Sequence, residues 1–254
     1  MNIVFFDIDG TLAIRKDVPE SAAKAVEMLR ANGNLSFICT GRNVIYARNN
    51  FHAYADGFIC NNGRLAVLND KVIFEEPIPK ETLEDIIQRL DDINAAYVFH
   101  SLDQGYYGGN PDGYEVLKSA QDPGYMHHCS DFSDLKLYNF DVWFKDLDQR
   151  HAIEKTLEGI SLLNPHGPHP TADMTVMGCD KGDAIIHIAE KLNIPLENTY
   201  AFGDGINDLA MIKKAGHGVA MGNAVDPVKE AAEFITTDIK EDGVYNGLKH
   251  YQLI

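Results

Sequence analysis

The stretch Asn2–Leu12, NIVFFDIDGTL, constrains this chain more than any other. Ile3, Val4, Phe5 and Phe6 form an unbroken apolar run. A strand with no polar side belongs inside a parallel sheet whose two faces are both covered. The run stops at Asp7, Ile8, Asp9, Gly10 and Thr11, where Gly10 permits a sharp turn. In open α/β sheets, ligands bind beyond the carboxyl ends of the strands. Two carboxylates gathered there repel each other unless a cation joins them. Mg²⁺ takes hard oxygen ligands and shares its shell between a few carboxylates, waters and phosphate oxygens. The stretch therefore predicts a Mg²⁺–phosphate site, with one acid as nucleophile and the other as general acid and base. An ordinary strand followed by an Asp-Gly turn is the competing reading. The downstream segments decide between them.

Other strand ends repeat the pattern. A helix over Pro19–Asn32, with Ala22, Ala25, Val26 and Leu29 at helical spacing, precedes an apolar strand at Leu35–Cys39. That strand runs into Thr40, Gly41 and Arg42 and a helix over Asn43–Phe51. A hydroxyl beside free backbone N–H groups at a helix start suits phosphate. Phe58–Cys60 reads as a third strand, and Leu65–Leu68 with Val72–Phe74 as a hairpin. A strand at Met174–Met177 leads to Lys181 and a helix over Gly182–Leu192. A cation at a helix start opposes the helix dipole, so Lys181 has a use there if an anion gathers at the same spot. Thr199–Phe202 ends in Gly203, Asp204, Gly205, Ile206, Asn207 and Asp208. Val219–Ala224 repeats the strand–Gly–helix pattern without acids, and a helix over Gly243–Tyr251 closes the chain.

Between these segments the character changes. Pro77 and Pro79 break regular structure. Lys80–Asn94 is an amphipathic helix with Leu83, Ile86, Ile87, Leu90 and Ile93 on one side. Residues 97–99 and 140–144 read as strands and 147–157 as a helix. Residues 101–137, rich in Gly, Tyr, Asp and His, resist assignment, and Asn164–Pro170 has loop composition. The predicted division is a core of 1–79 with 175–254 and an inserted α/β domain of 80–174. Its linkers are expected near Pro77–Lys80 and Pro170–Met174. Nothing aligns His127, His128, His166 and His169 on a helix, so they read as surface or substrate-contact groups rather than a second metal site. Trp143 and Phe144 read as core, and Tyr106, Tyr107, Tyr114 and Tyr125 as candidate substrate contacts.

The net charge of −16 argues against nucleic acid as a partner. An anionic substrate then requires a metal and a few placed cations. Residues 81–158 hold six basic against sixteen acidic side chains, so that block is not the main source of those cations. No apolar run approaches a membrane span, and no signal peptide is read at the N-terminus. Cys39, Cys60, Cys129 and Cys179 have no metal-ligand spacing and read as reduced thiols of a cytoplasmic protein.

D-I-D-G-T, T-G-R, D-K-G and G-D-G-I-N-D, in this order, resemble the haloacid dehalogenase superfamily of phosphohydrolases. The resemblance is to its Cof-type branch, whose large cap is inserted between the second and third motifs. It covers about residues 1–79 and 175–254. It implies a Rossmann-like α/β core, a parallel sheet with helices on both faces, plus an inserted α/β cap. It implies Mg²⁺-dependent hydrolysis of small-molecule phosphomonoesters, such as sugar phosphates, through an aspartyl-phosphate. Asp7 would be nucleophile and metal ligand. Asp9 would protonate the leaving oxygen, activate water and lend its carbonyl to the metal. Thr40 and Lys181 would hold the phosphoryl group, and Asp204 and Asp208 would complete the metal site. Asn207, Gly41 and Arg42 are the further ligand-binding positions. A phosphosugar mutase, or a silent phosphate-binding protein, is the alternative.

Overall fold

The computed structural model describes residues 1–254. The chain first lays down β1 (Ile3–Phe6), α1 (Glu20–Ala31), β2 (Leu35–Cys39), α2 (Val44–Phe51), β3 (Gly57–Cys60), β4 (Leu65–Leu68) and β5 (Lys71–Glu75). Next come α3 (Lys80–Asp92), β6 (Ala96–His100), β7 (Gly105–Gly109), α4 (Tyr114–Ser119), β8 (Met126–His128), β9 (Asn139–Trp143), α5 (Leu147–Thr156), β10 (Ser161–Pro165) and β11 (Thr171–Val176). The last third holds α6 (Lys181–Lys191), β12 (Thr199–Gly203), α7 (Leu209–Lys214), β13 (His217–Ala220), α8 (Asp226–Ala231), β14 (Phe234–Ile235) and α9 (Gly243–His250). No helix is long and apolar enough to cross a membrane.

The chain divides into two compact units. One comprises Met1–Thr40, Ala47–Glu75 and Asp180–Ile254; the other comprises Gly41–Tyr46 and Glu76–Cys179.

The first unit is built on an eight-stranded sheet of order β14-β13-β12-β1-β2-β3-β4-β5, parallel from β14 to β3. Strand β1 lies at its centre, and all four of its side chains are fully buried. The apolar run could take no other place, because both of its faces need cover. The antiparallel β4–β5 hairpin turns on Asn69 and Asp70, both at positive φ, as a two-residue hairpin connection requires. From β1 the chain crosses through α1 to β2 on one side. From β12 it crosses through α7 to β13 on the other. Right-handed crossovers in opposite directions place their helices on opposite faces. Accordingly, α1 packs with α9, and α6 packs with α7. The reversal between β1 and β12 opens a crevice at the carboxyl ends of those two strands, which is where Asp7 and Asp204 emerge.

The second unit has a six-stranded sheet of order β10-β11-β9-β6-β7-β8, antiparallel except for β7 with β8. One face carries Tyr97, Phe99, Phe140, Val142 and Met174 beneath Leu83, Ile86 and Leu90 of α3 and Ile153 of α5. The opposite face begins as a small apolar cluster of Ala96, Val98, Tyr107 and Leu117, with Trp143 packed against it. Phe144 is buried in the larger cluster. The span 101–137, unassigned from sequence, contains β7, α4 and β8. Tyr107 and Tyr125 are buried in packing, and Tyr106 and Tyr114 lean on the two apolar clusters. The return to the first unit comes later than the 174/175 boundary. All of Thr171–Val176 pairs in the second sheet, and the first unit resumes at Asp180.

Candidate active site

Asp7 leaves the end of β1 with its N–H donating to the carbonyl of Phe202 in β12, 3.0 Å away. That bond carries the sheet ladder one residue further and points the carboxylate into the crevice. Gly10 follows at φ +95°, a conformation that side chains rarely adopt. A Cβ there would stand 2.2 Å from Asp204 Oδ2, so the glycine is what lets the two loops meet. Thr11 Oγ1 donates to Asp204 Oδ1 at 3.0 Å, and Asn223 Nδ2 donates to the Gly10 carbonyl at 2.8 Å. Asp9, in the same turn, is exposed, and its charge reaches Asp204.

Lys181 is the first residue of α6 and is 1% exposed. Its Nζ donates to Asp7 Oδ1 and to Asp208 Oδ1, each at 2.6 Å. The dipole conflict seen in the sequence is resolved locally. Asp180 caps the helix by accepting the Asp183 N–H at 2.9 Å, and Asp183 returns the bond to the Asp180 N–H. These acids satisfy the helix start, while the Lys181 side chain turns to Asp7 and Asp208.

Asp208 is fully buried, and its second oxygen accepts the N–H groups of Asp204 and Gly205 at 3.0 and 2.9 Å. Both oxygens are therefore committed, one to Lys181 and one to the loop that carries Asp204. One carboxylate oxygen from each of Asp7, Asp204 and Asp208 lies within 4.8 Å of the other two. Burial first, and then the Asp208 charge, push Asp7 well above the ordinary carboxylate range against the pull of Lys181. The same two causes push Asp204 up to about 6. Burial works to lower Lys181, but Asp208 and Asp7 overcome it and hold the ammonium charged. Three carboxylates thus crowd one ammonium in a largely buried crevice. The missing positive charge, together with the all-oxygen donor set, suits a hard divalent cation.

Thr40 ends β2 beside β1, buried, with its N–H donating to Ile59 and its carbonyl accepting from Asn62. Asn207 is half-buried between Gly205 and Asp208. Gly41 and Arg42 fall with the second unit, where the Arg42 guanidinium lies 5.1 Å over the Tyr46 ring. Sequence reasoning missed Thr11 and Asn223, which hold Asp204 and the Gly10 turn. Asn223 was detectable only as part of the acid-free strand–Gly–helix pattern after β13. The four cysteines are free, and burial pushes the Cys39 thiol up, which makes it inert.

The profile of the haloacid dehalogenase-like hydrolases matches residues 4–248. The phosphatase-named protein YkrA of Bacillus subtilis is 31% identical, covering 99% of this chain and 98% of its own length. The 5-amino-6-(5-phospho-D-ribitylamino)uracil phosphatase YcsE of the same organism is 28% identical, covering 100% and 96%. Among solved structures, the subclass IIB sugar phosphatase BT4131 superposes with a TM-score of 0.81 at 27% identity, each chain covered in full. The chain belongs to the haloacid dehalogenase-like hydrolases and is a phosphohydrolase of their Cof-type branch.

Proposed function

We propose that the protein is a Mg²⁺-dependent phosphatase that hydrolyses small-molecule phosphomonoesters, sugar phosphates or similar, through an aspartyl-phosphate on Asp7. The observation that carries this reading is Lys181 Nζ, 2.6 Å from both Asp7 and Asp208, with the Asp204 carboxylate in the same cluster. Asp7 attacks phosphorus while the bond to the leaving oxygen breaks, and Asp9 gives that oxygen a proton. Asp9, now a carboxylate, takes a proton from water. The water oxygen bonds to phosphorus, and the Asp7 carboxylate leaves. Phosphoryl transfer spreads charge over the equatorial oxygens, so placement and electrostatics do most of the catalysis. Thr40 donates a hydroxyl to those oxygens, and Lys181 both meets their charge and offsets Asp7.

Asp7, Asp204 and the Asp9 carbonyl would hold the metal. With both oxygens engaged, Asp208 would act through water and by fixing Lys181 and the Asp204 loop. When bound, Mg²⁺ supplies the positive charge that screens Asp7 from the phosphate. The names of YcsE and BT4131 support a hydroxylated leaving group. The test is phosphate release from a panel of monoesters, with Mg²⁺ and with chelator. Release that requires Mg²⁺, and falls by at least about 10³-fold in Asp7→Asn, is expected. Equal release without divalent metal, or an unchanged Asp7→Asn, overturns the reading.

A further inference from the structure

Where β3 ends, the chain makes a turn that costs more than joining two strands requires. Asn61, Asn62 and Gly63 stand in succession at φ +53°, +53° and +104°. Glycine takes this left-handed region freely, and asparagine more readily than most side chains. The β4–β5 hairpin also uses two such residues, but Asn69 and Asp70 are exposed and keep their side chains in water. Asn61 is fully buried, and neither its amide nitrogen nor its amide oxygen has a hydrogen-bond partner in the protein. Buried amides are nearly always paired, so this one is a second cost at the same place. Strain persists where the surroundings fix it, and it gathers at functional sites.

The surroundings here are two segments of the active site, both in the first unit. On one side is the end of β2. The Thr40 N–H donates to the Ile59 carbonyl at 2.8 Å, and the Asn62 N–H donates to the Thr40 carbonyl at 3.2 Å. Strand β3 and the turn thus hold Thr40 by both of its backbone groups. On the other side is the start of α6, against which the turn packs. A Cβ at Gly63 would run into the Asp180 carbonyl and stand 2.8 Å from the Lys181 nitrogen. Gly63 therefore lets the turn touch the backbone of Lys181 itself. The Lys181 charge also reaches Cys60, the residue before the turn.

We propose that the Asn61–Gly63 turn is a positioning element, a brace that fixes the spacing of Lys181 from Thr40. The inference rests on the phosphatase reading above, in which those two residues hold the phosphoryl group. Phosphoryl transfer is catalysed mostly by placement. A hydroxyl and an ammonium carried on separate segments serve it only at a set distance. Asn62 grips one segment, and Gly63, the next residue, touches the other. The two asparagines hold the left-handed backbone that makes this possible, and the unpaired Asn61 amide is what that conformation costs.

The test is the inhibition constant of inorganic phosphate against hydrolysis of phenyl phosphate with Mg²⁺. That constant does not depend on how much of a variant is folded. Gly63→Ala pushes on the Lys181 backbone and is expected to raise it by at least about 10-fold, the loss of one charge-assisted hydrogen bond. Gly33→Ala is the matched control. Gly33 also stands at positive φ, +79°, but nothing lies within 4 Å of a Cβ there. Its constant is expected to stay within about twofold of the native value. Should Gly63→Ala not fold, the double variant Asn61→Gly with Asn62→Gly keeps the backbone unstrained and loosens the same brace. It is expected to raise the constant by about threefold or more. A constant unmoved in whichever turn variant folds, or raised equally in Gly33→Ala, means that the turn serves packing alone and overturns the proposal. If the native enzyme releases no phosphate from phenyl phosphate, the phosphatase reading itself fails, and the brace with it.

Discussion

Lys181 holds a full positive charge where almost none of its surface meets water. A buried ammonium is tolerated only when its partners are fixed, and Asp208 is the more firmly fixed of the two. Two backbone N–H groups grip the oxygen that Lys181 does not use. Asp208→Ala strips that compensation and unties the Asp204 loop at once. Breaking a buried pair from one side typically costs about 3–5 kcal/mol, and denaturant unfolding is expected to show a loss of that size. A loss below about 1 kcal/mol would mean that Asp208 does not anchor Lys181. At this scale much of the site was legible. Asp7, Lys181, Asp204 and Asp208 stand out because acids and a lysine directly follow buried apolar runs, where a purely structural chain has no need of them. Asn223 and Thr11 were not legible. Their effect is to seat Asp204 across a fold-dependent gap, and neither residue type is unusual in a turn.

Among the elements, the flanking strands were readable because burial on both faces leaves a continuous apolar signature. Strand β7 was not. Its sequence Gly-Tyr-Tyr-Gly-Gly has the composition of a loop, yet a Cβ at Gly108 would stand 2.6 Å from the Tyr97 ring. Gly108 makes room for the Tyr97 ring of β6, and Gly105 for the Tyr125 ring. The alternation of Asn139, Asp141 and Trp143 with Phe140 and Val142 did carry a period of two. It marked two unlike faces, but not what the polar one meets. The β10–β11 hairpin yields a pH prediction. His166, in the turn after β10, is raised above its ordinary 6.5 although burial opposes it, because Asp173 bonds and attracts the charged ring. A group raised on folding stabilises fully below its unfolded pKa, and that contribution fades as pH rises through the folded value. The melting-point advantage of the native protein over His166→Gln should be largest below about pH 6.5 and shrink as the pH rises above it. An advantage that grows with pH would contradict the ion pair.

At the scale of the whole molecule, a chain of net charge −16 has to bring local positive charge to an anionic substrate. In the proposed mechanism that task falls to Lys181, a divalent metal and the Thr40 hydroxyl. Four segments separated by most of the chain meet there because β1 and β12 are neighbours at the centre of the sheet, with β2 and the start of α6 beside them. The central claim is that the meeting point aims Asp7 at phosphorus. The most direct measurement uses Asp9→Asn, which cannot activate water, mixed with radiolabelled phenyl phosphate and Mg²⁺ and quenched in acid. Its leaving group departs with little need of a proton, so the account predicts a label that accumulates toward one per chain, on the peptide containing Asp7. Label on any other peptide, or turnover by the native enzyme with no label trapped in this variant, would contradict it.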